Sequence, residues 1–264
     1  MKSLERLCDL YFELSNEDRV RILQVLRENP LNITNLAKEL NVTTQEVSRH
    51  VSRLTEVGLT ERNSEGLFEL TPYGGLTLRQ IKGVEFTSRH RDYFRDHSLV
   101  NLPSEFVCQI GKLSDSTYVD DVMVTVHRVE EVLKNAEDYI LNVNLPYIAS
   151  AFPLIKDAFK RGVKARFIHT EDLDIPVSMR DDRQRFVDNQ LLREVKASGQ
   201  YTERLSDDID LVLYMSEKEV AIVTFPMTDG KFDFYGFAST DLGTLEWCRD
   251  VFEYYWERAK LFMR

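Results

Sequence analysis

Residues 41–54, NVTTQEVSRHVSRL, combine a helix-starting signal, an apolar stripe and a polar outer face. Thr43 and Glu46 have the T-x-x-E spacing of a capping box, so a helix is expected to begin near Thr44. Val47, Val51 and Leu54 recur at i, i+4 and i+7 and would face inward. The opposite face shows Thr44, Gln45, Ser48, Arg49, Ser52 and Arg53. Gly58, just after Val57, suits the left-handed conformation that closes a helix.

Upstream, LSNEDRVRILQVLRENP (14–30) reads as a helix. Ser15 is its candidate N-cap, with Asp18 completing a weaker capping box. Val20, Leu23, Val25 and Leu26 are its apolar positions, and Asn29–Pro30 ends it. In LNITNLAKEL (31–40), Asn32 or Thr34 can cap, and Ile33, Leu36, Ala37 and Leu40 form the buried stripe. Downstream, LTERNSEGLFELT (59–71) reads as two short strands about a turn at Gly66. Three short helices and a hairpin are the order of a winged helix-turn-helix, whose third helix enters the major groove. Small hydroxyls on that helix permit close approach. Gln45 can bond the edge of adenine, and Arg49 or Arg53 can take guanine or phosphate. With Thr34, Thr43 and Arg62, the outer residues Thr44, Gln45, Ser48, Arg49, Ser52 and Arg53 make up the expected DNA-binding set. His50 lies beside the apolar stripe and is expected to pack or cap rather than to touch a base.

The charge distribution is compatible with this. The chain of 264 residues has a formal net charge of −10. Residues 1–97 hold 14 Lys+Arg against 15 Asp+Glu, and the rest 20 against 29, so the excess acid lies in the C-terminal two-thirds. A global acid balance opposes non-specific polyanion binding without excluding a local reading surface. At 43% hydrophobic and 30% charged, the chain can bury a core. No apolar run approaches the roughly 18 residues of a membrane span. The opening MKSLERLCDLYFEL lacks the features of a signal peptide. Cys8, Cys108 and Cys248 are far apart and odd in number, which suits a reducing cytoplasm and argues against a disulfide framework or a cysteine-rich zinc site.

The stretch LAKELNVTTQEVSRHVSRLTEVGLTERNSEGLFELTPYG (36–74) resembles the winged-helix module of the ArsR/MarR superfamily. The pattern S-x-H-[VL]-x-x-L-x-x-x-G-L is present as Ser48, His50, Val51, Leu54, Gly58 and Leu59, and LTPYG follows the wing. The C-V-C of the arsenic-sensing branch is absent, so the resemblance implies no metal sensing through that helix. Residues 74–98, GGLTLRQIKGVEFTSRHRDYFRDHS, read as a mostly helical, solvated connector. His90 and His97, two turns apart, are too distant for a tight metal pair.

From about Pro103 onward strands and helices alternate. Strands are expected at 121–126, 139–144, 163–170 and 201–205, then as a hairpin broken at SEKE (216–219), then in FDFYGFAST (232–240). Helices are expected in 127–138, 145–162, 179–199 and 242–263. The fold class is therefore multi-domain: an α+β winged helix-turn-helix domain over 1–75, a connector over 76–103, and an α/β effector domain over 104–264 with a mostly parallel sheet and a C-terminal amphipathic helix. Residues 132–140 and 155–168, with Trp247, Tyr254, Tyr255 and Trp256, resemble the effector domain of archaeal winged-helix regulators of the methanogenesis-regulator type, which is related to the phospholipase D fold. The catalytic H-x-K-x-x-x-x-D of that fold is missing: His127 is followed by Arg128 and Val129, and His169 by Thr170 and Glu171. The resemblance thus implies a sensor, not a phosphodiesterase. Nucleotide-binding glycine loops and a serine-nucleophile elbow are absent too.

Ligands of open α/β sheets collect beyond the carboxyl ends of strands, which selects Asn142, Asn144, Tyr147, His169 and Thr170 as candidate ligand-binding residues. The expectation is a cytoplasmic transcription regulator that binds double-stranded DNA as a homodimer. No enzyme activity, cofactor or metal is expected, and the C-terminal domain senses a small molecule or mediates dimerisation. The alternatives are a winged-helix protein-interaction module and an uncharacterised enzyme in the C-terminal domain.

Overall fold

A computed structural model describes residues 2–145, 148, 150–170 and 190–261. The chain divides into two compact units, 1–84 and 85–264.

The first unit holds helices α1 (Lys2–Leu14), α2 (Glu17–Glu28), α3 (Ile33–Leu40) and α4 (Thr44–Glu56), then an antiparallel hairpin of β1 (Thr60–Arg62) and β2 (Phe68–Leu70), then the start of α5 (Pro72–Arg89). The core comes from the stripes read in the sequence: Ile22, Leu23 and Leu26 from α2, Leu36, Ala37 and Leu40 from α3, Val47, Val51 and Leu54 from α4, closed by Leu59, Phe68 and Leu78. Leu31 pairs with Phe68 through two backbone bonds of 2.9 and 3.0 Å and ties the α2–α3 link to the hairpin. Gly66 turns the hairpin at φ +80°. Gly74 lies so close to the Leu59 carbonyl that a Cβ would fall 2.0 Å from its oxygen.

One cap differs from the expectation, and for the other the structure selects the first of its two candidates. Asn16, not Ser15, caps α2, its Oδ1 accepting from Arg19 N at 3.1 Å, while the Ser15 hydroxyl donates to Phe12 O at 2.7 Å and closes α1. Asn32 caps α3, its Oδ1 accepting from Asn35 N at 2.9 Å, which leaves Thr34 exposed within the helix. Carboxamides served better in both places because each stands one residue before its first helical turn. Helix α1 is a further element. Its Glu13 is buried and receives Arg19 Nε at 3.1 Å and Arg53 through contacts of 2.8–3.2 Å, joining α1 to α2 and α4.

The second unit is built on an eight-stranded sheet of order β10-β6-β5-β4-β7-β8-β9-β3. Its strands are β3 (Thr117–Val119), β4 (Tyr139–Val143), β5 (Lys164–His169), β6 (Tyr201–Leu205), β7 (Val212–Ser216), β8 (Val220–Thr224), β9 (Gly236–Ser239) and β10 (Lys260–Leu261). Among the described residues only β4–β5 and β5–β6 pair in parallel; the other pairs are antiparallel. The sheet is thus mixed, not mostly parallel. Helical crossovers lie between β4 and β5 and, with Gln190–Ala197, between β5 and β6, and these are the parallel pairs, while shorter connections link β7, β8 and β9, and short links favour antiparallel neighbours.

Each sheet face has its own core. Leu141, Val143, Ile168, Leu213 and Phe237 meet Phe106, Trp247, Val251 and Phe252 on one side. Ile140, Ala165, Phe167, Tyr201 and Tyr214 meet Val129, Val132, Leu133, Ile155 and Phe159 on the other. The helices that supply these are α6 (Arg91–Asp96), α7 (Ser104–Cys108), α8 (Val122–Asn135), α9 (Ala151–Lys160), α10 (Gln190–Ala197) and α11 (Leu242–Arg258).

Residues 121–126, expected as a strand, open α8 instead. Asp121 caps it, accepting from Met123 N at 2.7 Å, and Thr125, Val129, Val132 and Leu133 bury a helical stripe that overrides the strand preference of the valines. The connector is not solvated throughout. Phe86 near the end of α5, Tyr93 in α6 and His97 just after it recur every seven and four residues and are buried. His97 stacks on Tyr93 at 3.7 Å and reaches Tyr93 O at 2.8 Å and Asp233 at 3.2 Å. The arginines and aspartates between them hid this stripe. Of the helix expected over 179–199, residues 171–189 lie outside the described ones, and Gln190–Ala197 is helical. No helix among the described residues is long and apolar enough to cross a membrane.

Candidate functional site

Helix α4 begins where its sequence signals it. Glu46 N donates to Thr43 Oγ1 at 3.2 Å and Thr43 N donates to Glu46 Oε2 at 2.9 Å, a complete capping box. The Thr43 hydroxyl also donates to Glu46 at 2.7 Å, and these bonds hold the glutamate carboxyl below its ordinary value. Thr44, Gln45, Ser48 and Arg49 are exposed on the outward face, and their side chains make no hydrogen bond among the described residues. Ser52, one turn on, is exposed and contacts Glu56 only at 3.5 Å.

The two remaining arginines are placed differently from Arg49. Arg53 spends its guanidinium on Glu13 and lies 5.3 Å from the Phe12 ring centroid. Arg62, exposed on β1, stacks over Phe68 at 4.6 Å. Thr34 is exposed on α3. His50 is half-buried next to Val51; burial and then the Arg19 charge lower its basicity, and its buried Nδ1 has no partner among the described residues. A compact donor set of Gln45, Ser48 and Arg49 thus projects from the first two turns of a helix whose other face is anchored in the core.

The ligand candidates separate in the second unit. Asn142 and His169 are both buried and line one cavity on the α8–α9 side of the sheet. Asn144, at φ +50°, and Thr170 bond one another at 3.3 Å, and Asn144 N donates to Ile168 O at 2.8 Å; they fasten the ends of β4 and β5. Tyr147 lies outside the described residues. Sequence reasoning missed the aromatic walls: Phe152 from α9, Phe167 from β5, Tyr201 from β6 and Tyr214 from β7. Tyr214 is the antiparallel partner of Asn142, and Phe167 its parallel partner, so the signal was strand register, available only once the strands are paired.

Comparison with known proteins bears mainly on the first unit. Residues 8–91 match the family model described as the HVO_A0261 N-terminal domain, about a third of the chain. The likeness over this segment is to that domain and not specifically to ArsR or MarR proteins. No curated protein matches the chain. Among solved structures, TrmBL2, an archaeal chromatin protein with a novel mode of DNA binding, is 16% identical over 94% of each chain, with a TM-score of 0.43. The phospholipase D family member Nuc from Salmonella typhimurium is 12% identical over 52% of this chain and 89% of its own, with a TM-score of 0.36. NucT from Helicobacter pylori is 10% identical over 56% and 97%, with a TM-score of 0.38. At TM-scores below 0.5 these likenesses carry no weight for function.

Proposed function

We propose that the chain is a sequence-specific transcription regulator that reads double-stranded DNA with α4 and senses a small molecule with its C-terminal unit. The observation that carries the reading is the exposed, uncommitted set Gln45, Ser48 and Arg49 on a firmly capped helix, followed by an antiparallel hairpin. This is the presentation expected of a recognition helix with a wing. The match over residues 8–91 falls on the same elements. Arg53 serves this reading as a positioning residue, since it is held by Glu13. The role requires no catalysis. Selection of bound fragments from genomic DNA, followed by titration at several salt concentrations, tests it. Sequence-dependent binding that weakens as salt rises is expected; binding to no fragment contradicts it.

Two-fold DNA sites call for two copies of the reader. An apolar groove of about 690 Å³ in the first unit, between α1 and α5, supports self-association there. Leu7, Tyr11, Tyr73, Leu76 and Val84 are exposed along it, and no charged side chain lines it among the described residues. The closing helix uses Trp247, Val251, Phe252 and Tyr255 in its own core. Leu76→Glu is therefore expected to give a monomer in sedimentation with greatly weakened operator binding. A Leu76→Glu protein that remains dimeric would remove this face from the interface.

A further inference from the structure

The cavity between the sheet and α8–α9 has a chemical character that goes beyond a general sensor role. It measures about 40 Å³, room for about three non-hydrogen atoms before the walls must give. Its walls are mostly apolar, and among the described residues lining it there is no Lys, Arg, Asp or Glu.

Two neutral groups interrupt these apolar walls. Tyr214 is 4% exposed, and its hydroxyl, which is not among the fully enclosed atoms without a partner, is bonded to no described residue. A tyrosine hydroxyl that lines an apolar cavity with no bond to a described residue can donate to a guest there. Burial alone pushes that hydroxyl's pKa far up, so it stays an O–H donor. Asn142, also 4% exposed, uses Oδ1 to accept from Leu145 N at 3.0 Å, and its Nδ2 donates to no described residue. Asn142 and Tyr214 are directly paired across β4 and β7, so both side chains stand on the same sheet face. Two neutral donors lining one apolar cavity call for an acceptor attached to an apolar group.

We propose that this cavity binds the end of a small, neutral carbonyl compound, its oxygen accepting from Tyr214 and Asn142 and its alkyl group lying against Val129, Ile155 and Phe167. The proposal deepens the sensor reading and rests on it only for regulatory meaning. A carboxylate fits less well, because a buried anion needs a paired cation. Among the described lining residues His169 alone can supply positive charge, and an imidazolium there would itself be buried. The same donors explain why a bare hydrocarbon is not the preferred guest: it would leave both N–H and O–H groups dry.

The test is methyl-detected NMR of the full-length protein titrated with 2-butanone and, separately, with propionate. Saturable shifts at Val129, Leu145 and Ile155 are expected with 2-butanone, and binding of propionate about tenfold weaker or more. Tyr214→Phe keeps the ring and removes the donor, and should raise the Kd for 2-butanone about three- to tenfold. Ala151→Leu, at the cavity wall, should abolish binding while leaving distant methyl signals in place. Absence of saturable shifts, equal or tighter propionate binding, or an unchanged Kd in Tyr214→Phe overturns the proposal. Operator affinity with and without 2-butanone is read separately. An unchanged value alongside saturable binding leaves the cavity assignment standing and removes its link to regulation.

Discussion

Helix α4 draws its cap from Thr43 and its core stripe and outward face from the 13 residues that follow. The cavity of the C-terminal unit draws its walls from two helices and four strands spread between Val129 and Tyr214. Both place polar groups against an apolar support, yet they hold them differently. In α4 the support is a stripe at helical spacing, and the donors lie on the opposite side of the same cylinder. In the cavity the support is two-residue alternation on paired strands, and the donors become neighbours through register. A change in α4 should therefore act through one element, and a change at the cavity through several.

The sharpest way to break the first half of that contrast lies outside α4, at Glu13. Arg19 and Glu13 are each 8% exposed at the side chain, and Arg53 of α4 closes the group. Glu13→Ala leaves Arg19 buried without its counter-charge and should destabilise the first unit by about 3–5 kcal/mol, measured by urea unfolding. A loss confined to fraying of α1 would show that α4 is anchored by its stripe alone. The same group sets a pH dependence. The bond from Arg53, with the charges of Arg19 and Arg53, holds the Glu13 carboxyl below its ordinary 4.5. Its stabilisation is thus present above that value and lost as pH falls through the lowered one. Glu13→Gln should flatten this acid limb.

Thr43→Ala is smaller and more local. It removes the reciprocal cap of α4 and should cost about 1 kcal/mol in the same unfolding measurement, leaving the second unit's signals unmoved. The smallest effect is expected from Tyr214→Phe, which deletes a hydroxyl bonded to no described residue. Stability should change by no more than about 0.5 kcal/mol, although ligand affinity changes. A loss comparable to that of Thr43→Ala would mean that the hydroxyl is structural.

This division also explains what the sequence made legible. Thr43, Glu46, Val47, Val51 and Leu54 announce α4 because every signal lies within a few residues of its partner. Asn142 and His169 could be placed at strand ends for the same reason. Tyr214 could not, because its nearness to Asn142 depends on an antiparallel pairing across some seventy residues, and no local pattern sets it. The mixed sheet was missed on similar grounds: β4 to β9 were visible, but not the edge strands β3 and β10, the latter expected within the closing helix, nor the long return that puts β7 beside β4. At Val122–Val126 the β-branched run favoured a strand locally, and burial of Thr125, Val129, Val132 and Leu133 reversed it. Arg53 shows the complementary failure. Its position on the helix was right, while its commitment to Glu13 depends on α1, 40 residues away in the chain.

The most direct measurement concerns Arg49. With an operator in hand from genomic selection, binding of wild type and Arg49→Ala is measured against that operator and against variants changed one base pair at a time. If α4 reads bases, Arg49→Ala weakens operator binding by about 1–3 kcal/mol and erases discrimination at one position while others are kept. A folded Arg49→Ala protein with wild-type affinity and undiminished discrimination at every position would contradict recognition through this helix.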